Sequence, residues 1–165
     1  MRILGIDPGT ATTGYGVVEE GPDGFRMITY GCITTSKELD LPTRLNEIAF
    51  DLSMIISKFR PDFAAVEDLF FSKNTKTAIA VAQARGVIMQ KITEEQIPVA
   101  SYNPMQIKLA LCSDGKAKKP QIQKMIQMLL NLEDIPKPDD AADALAIAVT
   151  HGHCLKNQSL YAPTA

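Results

Sequence analysis

The chain has 165 residues, of which 45% are apolar and 22% are charged. This composition is typical of a water-soluble globular protein of about one domain, and it excludes a chain that is disordered throughout. Lys and Arg number 17 against 19 Asp and Glu, so the net charge of −2 does not by itself indicate a nucleic-acid partner, which would need a local basic face.

The first part of the chain shows strand-like patterns interrupted by turn residues. Apolar runs at 2–6, 12–19 and 25–35 are separated by the turn sequences Asp-Pro-Gly-Thr and Gly-Pro-Asp-Gly, at 7–10 and 21–24. Because short turns join consecutive strands that lie side by side, these three runs predict an antiparallel meander.

From residue 41 onwards, helical and strand-like patterns alternate. Two short apolar runs predict further strands, at 63–66 and 97–102. Five stretches with apolar residues at helical spacing predict helices at 41–59, 74–95, 104–111, 120–130 and 140–154. The order predicts an α/β fold with a five-stranded mixed sheet, an antiparallel meander followed by parallel strands, flanked by helices.

The domain organisation and compartment follow from simple features. We find no repeat and no linker, so we expect one domain over 1–156 and a flexible C-terminal tail over 157–165. Cys32, Cys112 and Cys154 are scattered and form no CxxC motif, which is typical of small buried hydrophobes in a reducing compartment. With no apolar run of membrane-spanning length, a cytoplasmic protein is expected.

Four acidic residues stand where a charge is costly to bury. Asp7 follows the first predicted strand and Glu67 ends the fourth, while Asp140 and Asp143 share one face of a helix that is apolar almost all round. A buried carboxylate costs several kcal/mol unless it is paired or metal-bound. If the four acids converge, their oxygens favour Mg²⁺ or Mn²⁺, and two such ions about 4 Å apart promote phosphodiester hydrolysis.

Each of these acids also has a structural interpretation. Asp-Pro-Gly is a common turn, so Asp7 alone favours a structural role, and Glu67 alone can be a solvated acid at a strand end. Asp139 or Asp140 can cap the last helix, and Asp139 also lies near the face of Asp143. The spacing leaves the choice between Asp139 and Asp140 open, so the catalytic hypothesis depends on the acids occurring together.

Basic residues and two aromatics accompany the acids. One stretch that contains a single acid, Asp114, carries five lysines: Lys108, Lys116, Lys118, Lys119 and Lys124. A second group of basic residues follows the fourth strand: Lys73, Lys76, Arg85 and Lys91. Such local charge can hold a phosphate backbone despite the acidic total, although each residue alone is equally typical of a solvated surface. Phe70 and Phe71 either close the core or stack on unpaired bases.

Several sequence motifs follow one another in order over nearly the whole chain. They are ILGIDPGT at 3–10 with TGYGV at 13–17, AVE at 65–67, QARG at 83–86 and DAADALAIA at 140–148. Together they closely resemble the RuvC family of bacterial crossover junction endodeoxyribonucleases.

The resemblance implies an RNase H-like fold and a homodimer that resolves four-way Holliday junctions by two symmetric nicks, in recombination and repair. It implies the branch-migration proteins RuvA and RuvB as partners, and we expect two Mg²⁺ ions per active site, with Mn²⁺ able to substitute. Catalysis and metal binding carry over to four acids: Asp7, Glu67, Asp140 and Asp143.

The resemblance also suggests DNA contacts. The family's junction-contacting aromatic falls on Phe70, and its functional lysines fall on Lys108 and on Lys119, with Lys118 as an alternative to Lys119. Combined with the local charge pattern, this predicts a set of DNA-binding residues: Phe70, Phe71, Lys73, Lys76, Arg85, Lys108, Lys118 and Lys119.

Three other functions are less compatible with the sequence. The Asp-x-Gly-Thr motif at 7–10 also resembles the phosphate loop of actin-like sugar kinases and chaperone ATPases, but 165 residues leave no room for the second domain those proteins need. A junction-binding module without catalysis would not need the complete set of acids. An RNA-processing branch of the same fold has shorter chains and lacks the helix motifs.

Overall fold

The computed structural model describes residues 1–69 and 75–161, with the side chains of 1–69 and 78–157. Its described strands are β1 (Arg2–Asp7), β2 (Thr12–Gly21), β3 (Gly24–Thr34), β4 (Phe63–Glu67) and β5 (Val99–Tyr102). They form one sheet in the order β3-β2-β1-β4-β5. The pairs β1–β2 and β2–β3 are antiparallel, and β1–β4 and β4–β5 are parallel, which confirms the predicted mixed sheet.

The five predicted helices are present. They are α1 (Leu41–Phe59), α2 (Thr75–Glu94), α3 (Pro104–Cys112), α4 (Lys119–Leu129) and α5 (Asp139–Tyr161). The largest difference concerns α5, which continues past its predicted end at Cys154. Leu155 still packs on the core, and the next proline is Pro163, so nothing in the sequence stops the helix earlier. Within the described parts of the chain, no helix is long and apolar enough to cross a bilayer.

The core has two layers, one on each face of the sheet. Ile3 and Ala65 pack on the face that is covered by α3, α4 and α5, whereas Leu4 and Val66 pack on the opposite face under α1 and α2. This division follows from the alternation of side chains along β1 and β4. The three cysteines are free thiols, in line with their scattered positions, but each is only half-buried, whereas the sequence predicted that they would be buried.

Local signals fix where α3 and α4 begin. The Asn103 side chain accepts a hydrogen bond from the Gln106 backbone N–H, and the Gln106 side chain accepts one from Asn103 in return, both at 2.9 Å. In α4, Pro120 lies in the first turn, where its missing N–H costs little. The Gln121 side chain accepts a hydrogen bond from the Lys118 backbone N–H at 2.7 Å. These caps set the positions along each helix from which side chains point towards the sheet edge.

Helix α5 lies directly against the sheet because glycines face it. Gly5 of β1 is paired with Gly16 of β2, and Asp7 is paired with Gly14. A Cβ atom added at Gly5 would lie 2.1 Å from the backbone oxygen of Ala144, and one added at Gly14 would lie 2.0 Å from that of Asp140. No side chain fits at such distances, so these glycines determine how closely α5 approaches the strands.

The substitution Gly14→Ala should lower the free energy of unfolding by about 1–3 kcal/mol or more, because the new Cβ would collide with the backbone of α5. Gly115→Ala is a matched control, since the nearest atoms to its Cβ lie at 3.4 and 3.7 Å and belong to the side chains of Met105 and Leu109. Urea unfolding followed by circular dichroism makes the comparison. Equal stability of the two variants would contradict the close packing.

Candidate active site

Two of the predicted acids end neighbouring parallel strands. Asp7 is the last residue of β1 and Glu67 is the last residue of β4. The register pairs Ile6 with Val66, so the two acids follow at the same edge of the sheet. Their side chains share a hydrogen bond. The carboxyl ends of β1 and β4 therefore place two carboxylates in contact.

The other two predicted acids come from the first turns of α5. The backbone of Asp140 lies over Gly14, which is the residue paired with Asp7 in the sheet. Asp143 follows three residues later and is half-buried. The charges of Asp140 and Asp143 both act on Asp7. The structure thus brings the four predicted carboxylates into one electrostatically coupled cluster.

Burial and mutual repulsion make these acids hard to ionise together. Burial, followed by the charge of Glu67, raises the pKa of Asp7 from its ordinary value of 3.8 to about 8. Burial also raises the pKa of Glu67, against the opposing effect of its hydrogen bond with Asp7. The pKa of Asp143 is raised by burial although Lys119 lies beside it. Perturbed carboxylates of this kind are typical of functional sites.

Asp140, rather than its neighbour Asp139, belongs to this cluster. The Asp139 side chain is 62% exposed and accepts a hydrogen bond from Gln123 Nε2 at 3.0 Å. The carboxylates whose charges raise the pKa of Asp7 are Glu67, Asp143 and Asp140. Of the two residues that the spacing left open, the geometry favours Asp140.

One lysine contacts the acids directly. Lys119 Nζ lies 2.8 Å from Asp143 Oδ2 and 3.4 Å from Asp139 Oδ2. These carboxylates raise the pKa of Lys119 despite the opposing effect of burial, so it stays positively charged. Both lysines are exposed, but Lys118 is the N-cap residue of α4, whereas Lys119 reaches Asp143. The structure therefore distinguishes the two adjacent lysines, and Lys119 is the one at the carboxylates.

A cavity of ≈ 200 Å³ opens beside the cluster. Its charged lining consists of Glu67, Asp143, Lys108 and Lys119, and its apolar lining consists of Pro104, Ile107, Ile122, Ala146 and Ile147. The apolar wall was not predicted as part of the site, since Ile107 and Ile122 show only ordinary helical spacing in the sequence. The cavity places two cations and two carboxylates around one space.

The carboxylates do not converge on a single point. Among the side chains that the structure describes, those of residues 1–69 and 78–157, no group of three or more His, Cys, Asp or Glu is arranged so that it could hold a metal ion. Instead, Asp7 is hydrogen-bonded to Glu67, and Asp143 is paired with Lys119. The donor set is nonetheless made of oxygens alone, which is the set that Mg²⁺ and Mn²⁺ prefer.

The remaining predicted DNA-binding residues have varied positions. Phe70, Phe71 and Lys73 lie outside the described residues, as does the side chain of Lys76. The Arg85 guanidinium is bound within the chain, to the Glu67 carbonyl, the Asp68 carboxylate and the Ser101 hydroxyl. Sequence reasoning did not single out Ser101, although a polar residue in a predicted strand beside β4 is a usable signal.

Comparison with known proteins agrees with this geometry. Residues 3–151 match the family model for crossover junction endodeoxyribonuclease RuvC. A protein of that name from Syntrophomonas wolfei is 46% identical over 165 residues, which are 100% of this chain and 96% of the relative. One from Desulforamulus reducens is 52% identical over 151 residues, covering 92% of this chain and 93% of the relative.

A solved structure extends the comparison to three dimensions. The structure of T. thermophilus RuvC in complex with Holliday junction substrate superposes with a TM-score of 0.91 at 34% identity, covering 96% of this chain and 97% of that one. The five-stranded mixed sheet and its flanking helices therefore define an RNase H-like nuclease. The chain belongs to the RuvC family of crossover junction endodeoxyribonucleases.

The raised pKa of Asp7 predicts a pH-dependent gain in stability for Asp7→Asn in metal-free buffer. Because the folded protein holds this proton more tightly than the unfolded chain, its free energy of unfolding falls as the pH rises from about 4 to about 8. Asparagine cannot ionise, so the variant should melt at a higher temperature than the parent at pH 8, with a smaller difference at pH 4.5. Melting curves in EDTA at both pH values test this; a gain confined to pH 4.5 would contradict it.

Proposed function

We propose that this protein resolves Holliday junctions by paired symmetric nicks during homologous recombination and DNA repair. The observation that carries the proposal is the cluster of Asp7, Glu67, Asp140 and Asp143 at one sheet edge of a RuvC-family nuclease. The substrate class is supported by T. thermophilus RuvC, whose solved structure contains a Holliday junction substrate and superposes over nearly the whole chain.

The cluster fits divalent cations by its chemistry. Four carboxylates with one lysine as the adjacent cation leave an excess of negative charge, which a divalent ion would neutralise. We propose that Asp7, Glu67, Asp140 and Asp143 would hold two Mg²⁺ ions, with Mn²⁺ able to substitute, and that Asp7 is central to this set because the charges of the other three act on it. Two such ions supply nucleophile activation and charge neutralisation in phosphodiester hydrolysis.

The lysines at the cavity have distinct proposed tasks. Lys119, bonded to Asp143, is placed to neutralise charge that develops on the phosphate as it reacts. Lys108 lines the same cavity and would hold the DNA backbone at its edge. The exposed Lys118, together with Phe70, Phe71, Lys73 and Lys76, completes the DNA contacts that we propose. Arg85 is left out of this set because its Nε and Nη2 donate to groups within the chain.

We further propose that the protein acts as a homodimer. Phe50 and Met54 of α1 are 63% and 59% exposed, and Ile79 of α2 is 62% exposed. Phe50 and Met54 are four residues apart and so share one face of α1, and α1 packs against α2, which carries Ile79. Exposed apolar residues grouped in this way are typical of protein interfaces. A two-fold dimer would present two active sites to a junction that is itself approximately two-fold symmetric.

The family supports two further proposals. RuvA and RuvB, which accompany resolvases of this family, are the partners that we propose. The cytoplasm is the compartment that we propose, because a bacterial enzyme that acts on chromosomal DNA works there.

Asp7→Asn and Asp140→Asn should each abolish nicking of a synthetic mobile four-way junction in Mg²⁺ while leaving junction binding intact, because each removes a carboxylate of the cluster. Asp139→Asn should retain most of the activity, since its exposed side chain lies outside the cluster. Gel assays with labelled strands measure cleavage, and a plain duplex of matching sequence is the substrate control. Full activity of Asp7→Asn, or equal cutting of the duplex, would overturn the proposal.

Met54→Asp and Ile79→Asp should weaken the dimer, because each places a charge on the proposed apolar interface. Met128→Asp is the matched control, since Met128 of α4 is 66% exposed and lies elsewhere on the surface. Sedimentation velocity over a range of concentrations reports the mass of each variant. A parent protein that remains monomeric at high micromolar concentration would refute the dimer.

A further inference from the structure

We propose that Arg85 is a positioning residue that holds the end of β4, and through it the Glu67 carboxylate, in place. The inference rests on the proposed function in one respect, the role given there to Glu67. It departs from the expectation that Arg85 binds DNA, and it arises from three hydrogen bonds that the guanidinium makes inside the protein.

The guanidinium of Arg85 bonds to two segments of the chain, the end of β4 and strand β5. Its Nε donates to the carbonyl oxygen of Glu67 at 3.0 Å. Its Nη2 donates to Asp68 Oδ1 at 2.6 Å and to Ser101 Oγ at 2.7 Å. Glu67 ends β4, Asp68 is the next residue, and Ser101 belongs to β5. One side chain of α2 thus ties the end of β4 to its neighbouring strand.

Arg85 acts on Glu67 through the main chain. Side chains of β4 alternate between the two faces of the sheet, with Ala65 towards α5 and Val66 towards α1 and α2. The Glu67 side chain therefore points to the face of α5, where it lines the cavity. Arg85 approaches from α2 and bonds the carbonyl of Glu67, so it fixes the peptide from which the carboxylate projects.

The sheet ladder also reaches this strand end, since Glu67 of β4 is paired with Tyr102 of β5. The backbone N–H of Asp68 donates to the carbonyl oxygen of Tyr102 at 2.9 Å, which anchors one side of the segment. The carbonyl of Glu67 is held by Arg85. The Arg85 side chain is only 21% exposed, so its bonds to these partners are partly shielded from competing water.

The planar fork of arginine suits this task better than a simple positive charge does. Arginine presents five N–H donors in a fixed plane, whereas lysine presents one rotating ammonium group on a flexible stem. Lysine at position 85 could pair with Asp68 but could not also span the Glu67 carbonyl and the Ser101 hydroxyl in the same geometry. Arg85→Lys is therefore expected to retain only part of the cleavage rate and Mn²⁺ affinity that Arg85→Met loses.

The experiment compares Arg85→Met, Arg85→Lys and Ser101→Ala with a control on the same helix, Lys91→Met. Lys91 forms an ion pair with Glu94 at 2.7 Å, and its side chain is 21% exposed, the same as that of Arg85. Three quantities are measured for each variant: the single-turnover cleavage rate at saturating junction, the junction Kd at several salt concentrations without metal, and the affinity of the free protein for Mn²⁺ by calorimetry. Melting temperatures confirm that each variant is folded.

A positioning role for Arg85 predicts a specific pattern of cleavage rates and binding affinities. Arg85→Met should lower both the cleavage rate and the Mn²⁺ affinity by roughly 10–100-fold, the usual effect of removing a residue that orients a ligand, with the junction Kd unchanged. Arg85→Lys should fall between Arg85→Met and the parent, Ser101→Ala should show a smaller loss of the same kind, and Lys91→Met should match the parent.

Other outcomes overturn the inference. A DNA contact would instead weaken junction binding and reduce the salt slope by about 1, with cleavage at saturation unchanged. If Arg85→Met does not fold, unchanged values for Ser101→Ala would refute the positioning role. Failure of the proposed function gives a different result, because the parent protein would then leave the junction uncut. The Mn²⁺ affinity of Arg85→Met, compared with that of the parent, would still test the role of Arg85.

Discussion

The arrangement of the site depends on how closely α5 approaches the sheet. Gly5 and Gly14 leave no space for a Cβ atom against the backbone of this helix, so the helix axis is held at a short distance from β1 and β2. Because Gly14 is paired with Asp7, the same contact that closes the core also sets Asp140 beside the end of β1. The packing of α5 and the assembly of the carboxylates therefore depend on the same contact.

Bringing the carboxylates together lowers the stability of the folded protein, and other interactions in the protein must offset this loss. Four carboxylates in one cluster repel one another, and Lys119 relieves only part of the repulsion through Asp143. The buried layers on both faces of the sheet supply the stability that holds the acids together. A site of this kind is less stable than its neutral counterpart, which is a common relation between activity and stability in enzymes.

Much of the fold could be predicted because its signals are local. Turn sequences and a change of apolar period identify the meander, the parallel strands and the helices, and acids at the ends of buried elements indicate the site. The choices between Asp139 and Asp140, and between Lys118 and Lys119, depend on the rotation of α5 and α4 against the sheet, which neighbouring residues in a sequence cannot reveal. The internal contacts of Arg85 were hidden for a related reason, since its partners Asp68 and Ser101 are 17 and 16 residues away.

The small residues where α5 meets β1 also bear on how the chain can diverge. On the strand side no side chain is tolerated opposite Ala144 and Asp140, whereas Glu67 and Asp143 line a cavity that could accept other polar groups. Substitution of a carboxylate is therefore sterically easier than substitution of a glycine that contacts α5. In a remote homologue with different metal ligands, we therefore expect the small residues of this contact to be retained. On the strands they are the glycines at positions 5 and 14, and on α5 they are Ala144 and Ala148, one helical turn apart.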